Sequence, residues 1–115
     1  MGKKVSSKTP SQRQLRVNEE IRHALSVIFL EYTFYEPGLE SLSITVTEVR
    51  VSPDLKNATV FVLPLGAASA DDFIPILNEM APKIRHMLSK KVKLRFTPNI
   101  FFKYDDSFDY AHKID

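Results

Sequence analysis

Residues 42–63 read LSITVTEVRVSPDLKNATVFVL, and two different apolar patterns meet inside that stretch. In the first part Leu42, Ile44 and Val46 alternate with polar residues, and the apolar phase then resumes at Val49 and Val51. A period of two turns one face of a strand to a core and the other to water. The phase change predicts a β-bulge near Thr47–Glu48. In the second part, Ala58 to Leu63, apolar character is nearly continuous, as in a more buried, central strand. Ser52-Pro53-Asp54-Leu55-Lys56-Asn57 lies between them as a turn, with Pro53 and Asp54 at its centre. The two strands are close enough in sequence to pair as an antiparallel hairpin.

Upstream, Ser11 with Gln14 three residues on has the spacing of a capping box, which starts a helix. Val17, Ile21, Ala24, Leu25, Ile28 and Tyr32 follow at helical spacing and form one core-facing stripe. Arg13, Arg16, Asn18 and Glu20 fall on the other face, and Glu36-Pro37-Gly38 ends the element. Downstream, Ser69 is placed to cap a helix whose first turn holds Asp71, Asp72 and Pro75, with Phe73, Ile74, Leu77 and Met80 apolar. Pro82 lacks a backbone donor and its ring collides with the preceding turn, so the helix breaks at Met80-Ala81. A short helix from Pro82 to Ser89 then turns Ile84, Met87 and Leu88 inward and Lys83, Arg85 and His86 outward. The third strand is expected around Pro98, from Val92 through Phe96 and on to Tyr104, with a frayed acidic tail from Asp105.

The order is α-β-β-α-(kink)-α-β, an α+β domain whose three-stranded sheet carries its helices on one face. If the second and third strands are neighbours, a right-handed crossover makes them parallel. The expected boundaries are a disordered basic arm over residues 1–10, a folded domain over 11–107 and a flexible tail over 108–115.

The chain has 115 residues, no cysteine and a formal net charge of +2. Its length is that of one domain, which can bury a core without disulfides or metal. Absent cysteine excludes thiolate catalysis, zinc ribbons and redox pairs. No apolar stretch approaches the ~20 residues of a membrane span, and the polar, basic beginning lacks a signal-peptide core, so a cytoplasmic protein is expected. Charge is unevenly distributed. Residues 1–16 and 80–95 hold eleven of the sixteen basic residues and none of the fourteen acids. The remainder sums to −9. Such polarity draws a polyanion to one part of a surface and repels it elsewhere.

Several segments resemble the ribosome-binding factor A family. They are Arg16-Val17-Asn18-Glu19-Glu20-Ile21, the stretch from Val49 to Ala58 containing V-S-P-D-L, the I-R-x-x-L of Ile84 to Leu88, and Leu94 to Ser107 with its closing F-x-Y-D-x-S. They run in the family's order and spacing from Leu15 to Ser107. The resemblance implies a type II KH-like domain that binds the small (30S) ribosomal subunit and its 16S rRNA during late maturation, aiding 5′-end processing and growth in the cold. It also implies a helix-kink-helix with Ala-x-Gly in place of the usual GXXG loop. Here Met80-Ala81-Pro82 occupies those positions, so a proline preserves the break without the close backbone approach that glycine allows.

The candidate RNA-binding residues are Arg13, Arg16, Lys83, Arg85, Lys90, Lys91, Lys93 and Arg95, cations suited to phosphate contacts. Arg85 has a second reading, as partner of a carboxylate. Phe96, Ile100, Phe102 and Tyr104 alternate on one side of a strand and are expected to pack, with base stacking on Phe101 or Tyr104 the alternative. His23, His86 and His112 have no accompanying catalytic or metal-ligand pattern, so no enzyme, cofactor, metal or small-molecule substrate is expected. The functional expectation is a monomeric, non-enzymatic RNA-binding assembly factor. The alternative is a protein-interaction module using an open sheet face or the first helix.

Overall fold

The computed structural model describes residues 9–31, 43–65 and 70–107. Its elements are α1 (Gln12–Glu31), β1 (Ser43–Val51), β2 (Asn57–Leu65), α2 (Ala70–Glu79), α3 (Ala81–Lys91) and β3 (Asn99–Tyr104). The sheet order is β1-β2-β3, with β1 antiparallel and β3 parallel to β2. This is the α+β order read from the sequence. Most of the arm over 1–10, the tail over 108–115, Tyr32, the Glu36-Pro37-Gly38 turn, Leu42 and Ser69 lie outside the described residues.

Local signals act as their chemistry requires. Gln14 N–H donates to Ser11 Oγ at 3.0 Å and Ser11 N–H to Gln14 Oε1 at 2.9 Å, so the capping box closes in both directions. The β1–β2 register shifts between Val46 and Glu48, where the phase change placed a bulge. Leu55 N–H donates to the Ser52 carbonyl at 2.8 Å across Pro53 and Asp54, and Leu55 itself has φ 62°, a left-handed conformation that is costly for a bulky residue. Its side chain packs against the core, which offsets that strain.

The core lies between the sheet and the helices. Val17, Ile21, Leu25 and Ile28 of α1, Phe73 and Leu77 of α2, and Ile84 and Leu88 of α3 meet Val46, Val49, Val60, Val62 and Phe102. Both outer strands are tied to helices by side-chain amides. Gln14 Nε2 donates to Val51 O at 3.1 Å, while Val51 N–H donates to Asn18 Oδ1 at 2.9 Å. On the far side Asn78 Nδ2 donates to Phe102 O at 3.1 Å and Phe102 N–H to Asn78 Oδ1 at 2.7 Å. Backbone groups that would otherwise face an open edge are thereby satisfied.

Four expectations are corrected. The third strand begins at Asn99, not near Val92: Pro98 has no N–H to give a ladder, and residues 92–98 run as an irregular connection. Phe96 consequently lies off the strand, 44% exposed, whereas Ile100 and Phe102 are buried. Pro75 sits in the second turn of α2 rather than the first, and α3 spans Ala81–Lys91 rather than Pro82 to Ser89. Met80 is the single residue between the helices, with Pro82 in the first turn of α3, where a missing N–H costs nothing. Finally, Asp105 is not frayed. It is buried, and its carboxylate accepts from Thr47 Oγ1, Ser107 N–H and Ser107 Oγ.

Candidate nucleic-acid interface

Three chain segments bring cations to one place. Arg13 and Arg16 project from the first turns of α1, Lys56 from the β1–β2 turn, and Lys93 and Arg95 from the connection after α3. They line a cleft of about 420 Å³ together with Pro53, Leu55, Leu94 and Phe96. All five cations are exposed. Glu20 and Asp54 also line the cleft, leaving it three positive charges in excess. The Asp54 carboxylate is occupied by its own turn: it accepts from Ser52 Oγ at 2.6 Å and from Lys56 N–H at 3.0 Å. The Ser52 hydroxyl, then the Lys56 amide, holds its pKa below the ordinary value.

The left-handed Leu55 and the following backbone fix where Lys56 emerges. Asn99 N–H donates to Lys56 O at 2.9 Å, so the start of β3 locks the turn that carries this lysine. Lys56 was not among the residues chosen from the sequence. It sits in a turn whose composition reads as geometry, and only the hairpin's return brings it beside α1.

The eight sequence-chosen residues divide into groups. Arg13, Arg16, Lys93 and Arg95 converge in the cleft. Lys90 and Lys91, with Lys93, line a neighbouring, wider cleft that also contains Glu19, Glu20 and His23, and Lys91 Nζ lies 3.2 Å from Glu31 Oε1. Their charge is therefore partly balanced by α1. Lys83 is exposed on α3. Arg85 faces inward: its Nε donates to Thr97 O at 2.9 Å and to Pro98 O at 3.1 Å, and its Nη2 donates to Thr97 O. Its guanidinium carbon lies 5.4 Å from the centre of the Phe96 ring. The partners are carbonyls rather than the carboxylate considered from sequence, and they belong to the connection that carries Lys93 and Arg95.

The kink residues do not line this cleft. Met80 and Ala81 are buried in the core, and Pro82 is exposed beside Arg85, Asn99 and Ile100 around a smaller hollow of about 200 Å³. Among the described residues, no three His, Cys, Asp or Glu side chains converge as metal ligands would. No described helix is long and apolar enough to cross a membrane.

Comparison with known proteins agrees with this architecture. The family model for ribosome-binding factor A matches residues 13–115. A ribosome-binding factor A of Paramagnetospirillum magneticum is 49% identical over 109 residues, covering 95% of this chain and 77% of the relative. That of Phenylobacterium zucineum is 51% identical over 105 residues, covering 91% and 72%. The solution structure of a Thermotoga maritima putative ribosome-binding factor A superposes with a TM-score of 0.62 at 24% identity, over 87% of this chain and 93% of that one. A Thermus thermophilus ribosome-binding factor A homology model, fitted into a cryo-EM map of its 30S complex, superposes with a TM-score of 0.62 at 20% identity, over 77% and 91%. At these identities the structures speak for the fold, while the family match and the relatives identical over about half their aligned positions speak for descent. The chain belongs to the ribosome-binding factor A family.

Proposed function

We propose that this chain is a ribosome-assembly factor that docks on the small ribosomal subunit and grips 16S rRNA phosphates in the cleft of Arg13, Arg16, Lys56, Lys93 and Arg95. The observation that carries the reading is the convergence of five exposed cations from three segments, in a family whose Thermus thermophilus member has been fitted into a 30S complex. Phosphate neutralisation by such a cluster releases counterions, giving affinity that falls steeply with salt. The protein acts as a monomer and without catalysis: it favours one rRNA conformation over another by its differential affinity for the two. Aid to 16S 5′-end processing and to growth in the cold follows from that bias in this reading, and so does a cytoplasmic location.

Co-sedimentation with isolated 30S subunits across a salt series tests the proposal. Binding should be salt-steep, and Lys93→Glu/Arg95→Glu should weaken it at least tenfold while leaving the melting temperature unchanged, since both side chains are exposed. Binding indifferent to salt and to this charge reversal would move the interface to apolar protein contacts, the protein-interaction alternative.

A further inference from the structure

The face of the sheet turned away from the helices carries a second, chemically distinct surface. Phe101 is 56% exposed in the middle of β3, and Phe61 is half-buried on β2. The parallel register pairs Thr59 with Phe101 and Phe61 with Lys103, so the two rings are diagonal neighbours on adjacent strands. Around them on this face stand Thr59, Arg50, Lys103 and Glu48, with Leu63 the next residue of β2 beyond Phe61. The Arg50 guanidinium carbon lies 5.2 Å from the centre of the Phe61 ring and Lys103 Nζ lies 6.0 Å from it. Glu48 pairs with Arg50 at 2.6 Å, and the Arg50 charge also acts on the buried Asp105; the Glu48 and Arg50 side chains are about half exposed or more, so their pair is open to exchange with another anion.

We propose that this open face is a second RNA-contact surface, which stacks unpaired bases of single-stranded RNA on Phe101 and Phe61 and takes their phosphates on Lys103 and Arg50. Aromatic faces interleaved with cations are what sequence-tolerant single-strand binding uses, because every base has a π-face and every nucleotide a phosphate. Rings on neighbouring strands of a sheet can each receive one base of a splayed strand. A face built for a protein partner would instead present a contiguous apolar core with charge confined to its rim. Here the cations stand among the rings. The surface is additional to the cleft proposed above, and the two are separable by mutation.

The test is fluorescence anisotropy with a labelled single-stranded decauridine, at fixed and varied salt. The proteins compared are the unaltered chain, Phe101→Ala, Phe101→Tyr, Lys103→Glu and Lys93→Glu/Arg95→Glu. Loss of one base stack weakens binding about 5- to 150-fold, the affinity equivalent of truncating a stacking aromatic to alanine. Phe101→Ala should show a loss in that range and Phe101→Tyr should stay within about twofold of the unaltered chain. Lys103→Glu should weaken binding and flatten its salt dependence. Ultraviolet cross-linking should place the oligonucleotide on the peptide containing Phe101. Undetectable binding by the unaltered chain, or Phe101→Ala binding as tightly as it does, overturns the proposal. A sedimenting dimer that Phe101→Ala dissociates, with RNA affinity unchanged, would likewise overturn it and assign the face to a second copy. The cleft reading fails by a different result, unchanged 30S binding by the Lys93→Glu/Arg95→Glu variant.

Discussion

Arg85 turns its guanidinium onto the Thr97 and Pro98 carbonyls and lays it near the Phe96 ring, so it orders the segment from which Lys93 and Arg95 emerge. Lysine has the same charge but no planar fork. Arg85→Lys should therefore destabilise the fold by about 1–3 kcal/mol in denaturant titration, the range for leaving buried polar partners unmet. It should also weaken 30S binding although no charge is lost. Retained affinity in the lysine variant would instead mark Arg85 as a simple phosphate contact. Asp105 makes a pH-dependent contribution. Burial alone would raise its pKa, but the Ser107 and Thr47 hydroxyls, the Ser107 amide and the Arg50 charge together hold it below the usual carboxylate value. A group lowered on folding stabilises the protein above its unfolded pKa, and that stabilisation is lost as pH falls through the folded value. The melting-temperature difference between the unaltered chain and Asp105→Asn should thus be largest near neutrality and shrink below about pH 4. A difference that stays constant down to pH 2.5 would show that the ionised form is not what anchors this position.

At the scale of elements, helix side-chain amides satisfy backbone groups at one point on each edge of the three-stranded sheet. Asn78 does this for β3 with one donor and one acceptor set against the Phe102 backbone. Asn78→Asp keeps the acceptor but replaces the donor with a second oxygen facing a carbonyl. It should cost about 1–3 kcal/mol and raise hydrogen-exchange rates along β3 before β1. Equal loosening of all three strands would mean that the edge clamp is not local. The same clamp was invisible in the sequence, where Asn78 is one polar residue within an amphipathic helix. The capping box, by contrast, was legible because both of its partners lie within three residues. The missing beginning of the third strand has an equally local cause in Pro98, yet the apolar alternation of Val92, Leu94 and Phe96 imitates a strand well enough to mask it.

At the scale of the molecule, the uneven charge is gathered into one cleft only through folding. Five cleft cations that each displace one counterion would give log K against log salt a slope of about −4.5 on duplex RNA-like charge density, or about −3.5 on a single strand. Reversing Lys93 and Arg95 should reduce the magnitude of that slope by about 2, one unit for each lost phosphate contact. Reversing Lys90 and Lys91 should reduce it less, because Lys91 already pairs with Glu31 of α1 and Glu20 lines the same cleft. Equal effects from the two pairs would spread the RNA footprint along the whole of α3 and its following connection.

Helix and strand order, the bulge, the turn and the apolar stripes were determined by the sequence, since each depends on neighbours a few residues apart and on the fixed periods of the two backbone geometries. The family resemblance was legible for the same reason, as short motifs in a fixed order. Tertiary structure alone decided that Lys56 joins Arg13, Arg16, Lys93 and Arg95, that Arg85 bonds carbonyls, and that Asp105 is buried. Each of those outcomes depends on which surfaces meet when the helices close over one face of the sheet, and that is set by packing between segments far apart in the chain.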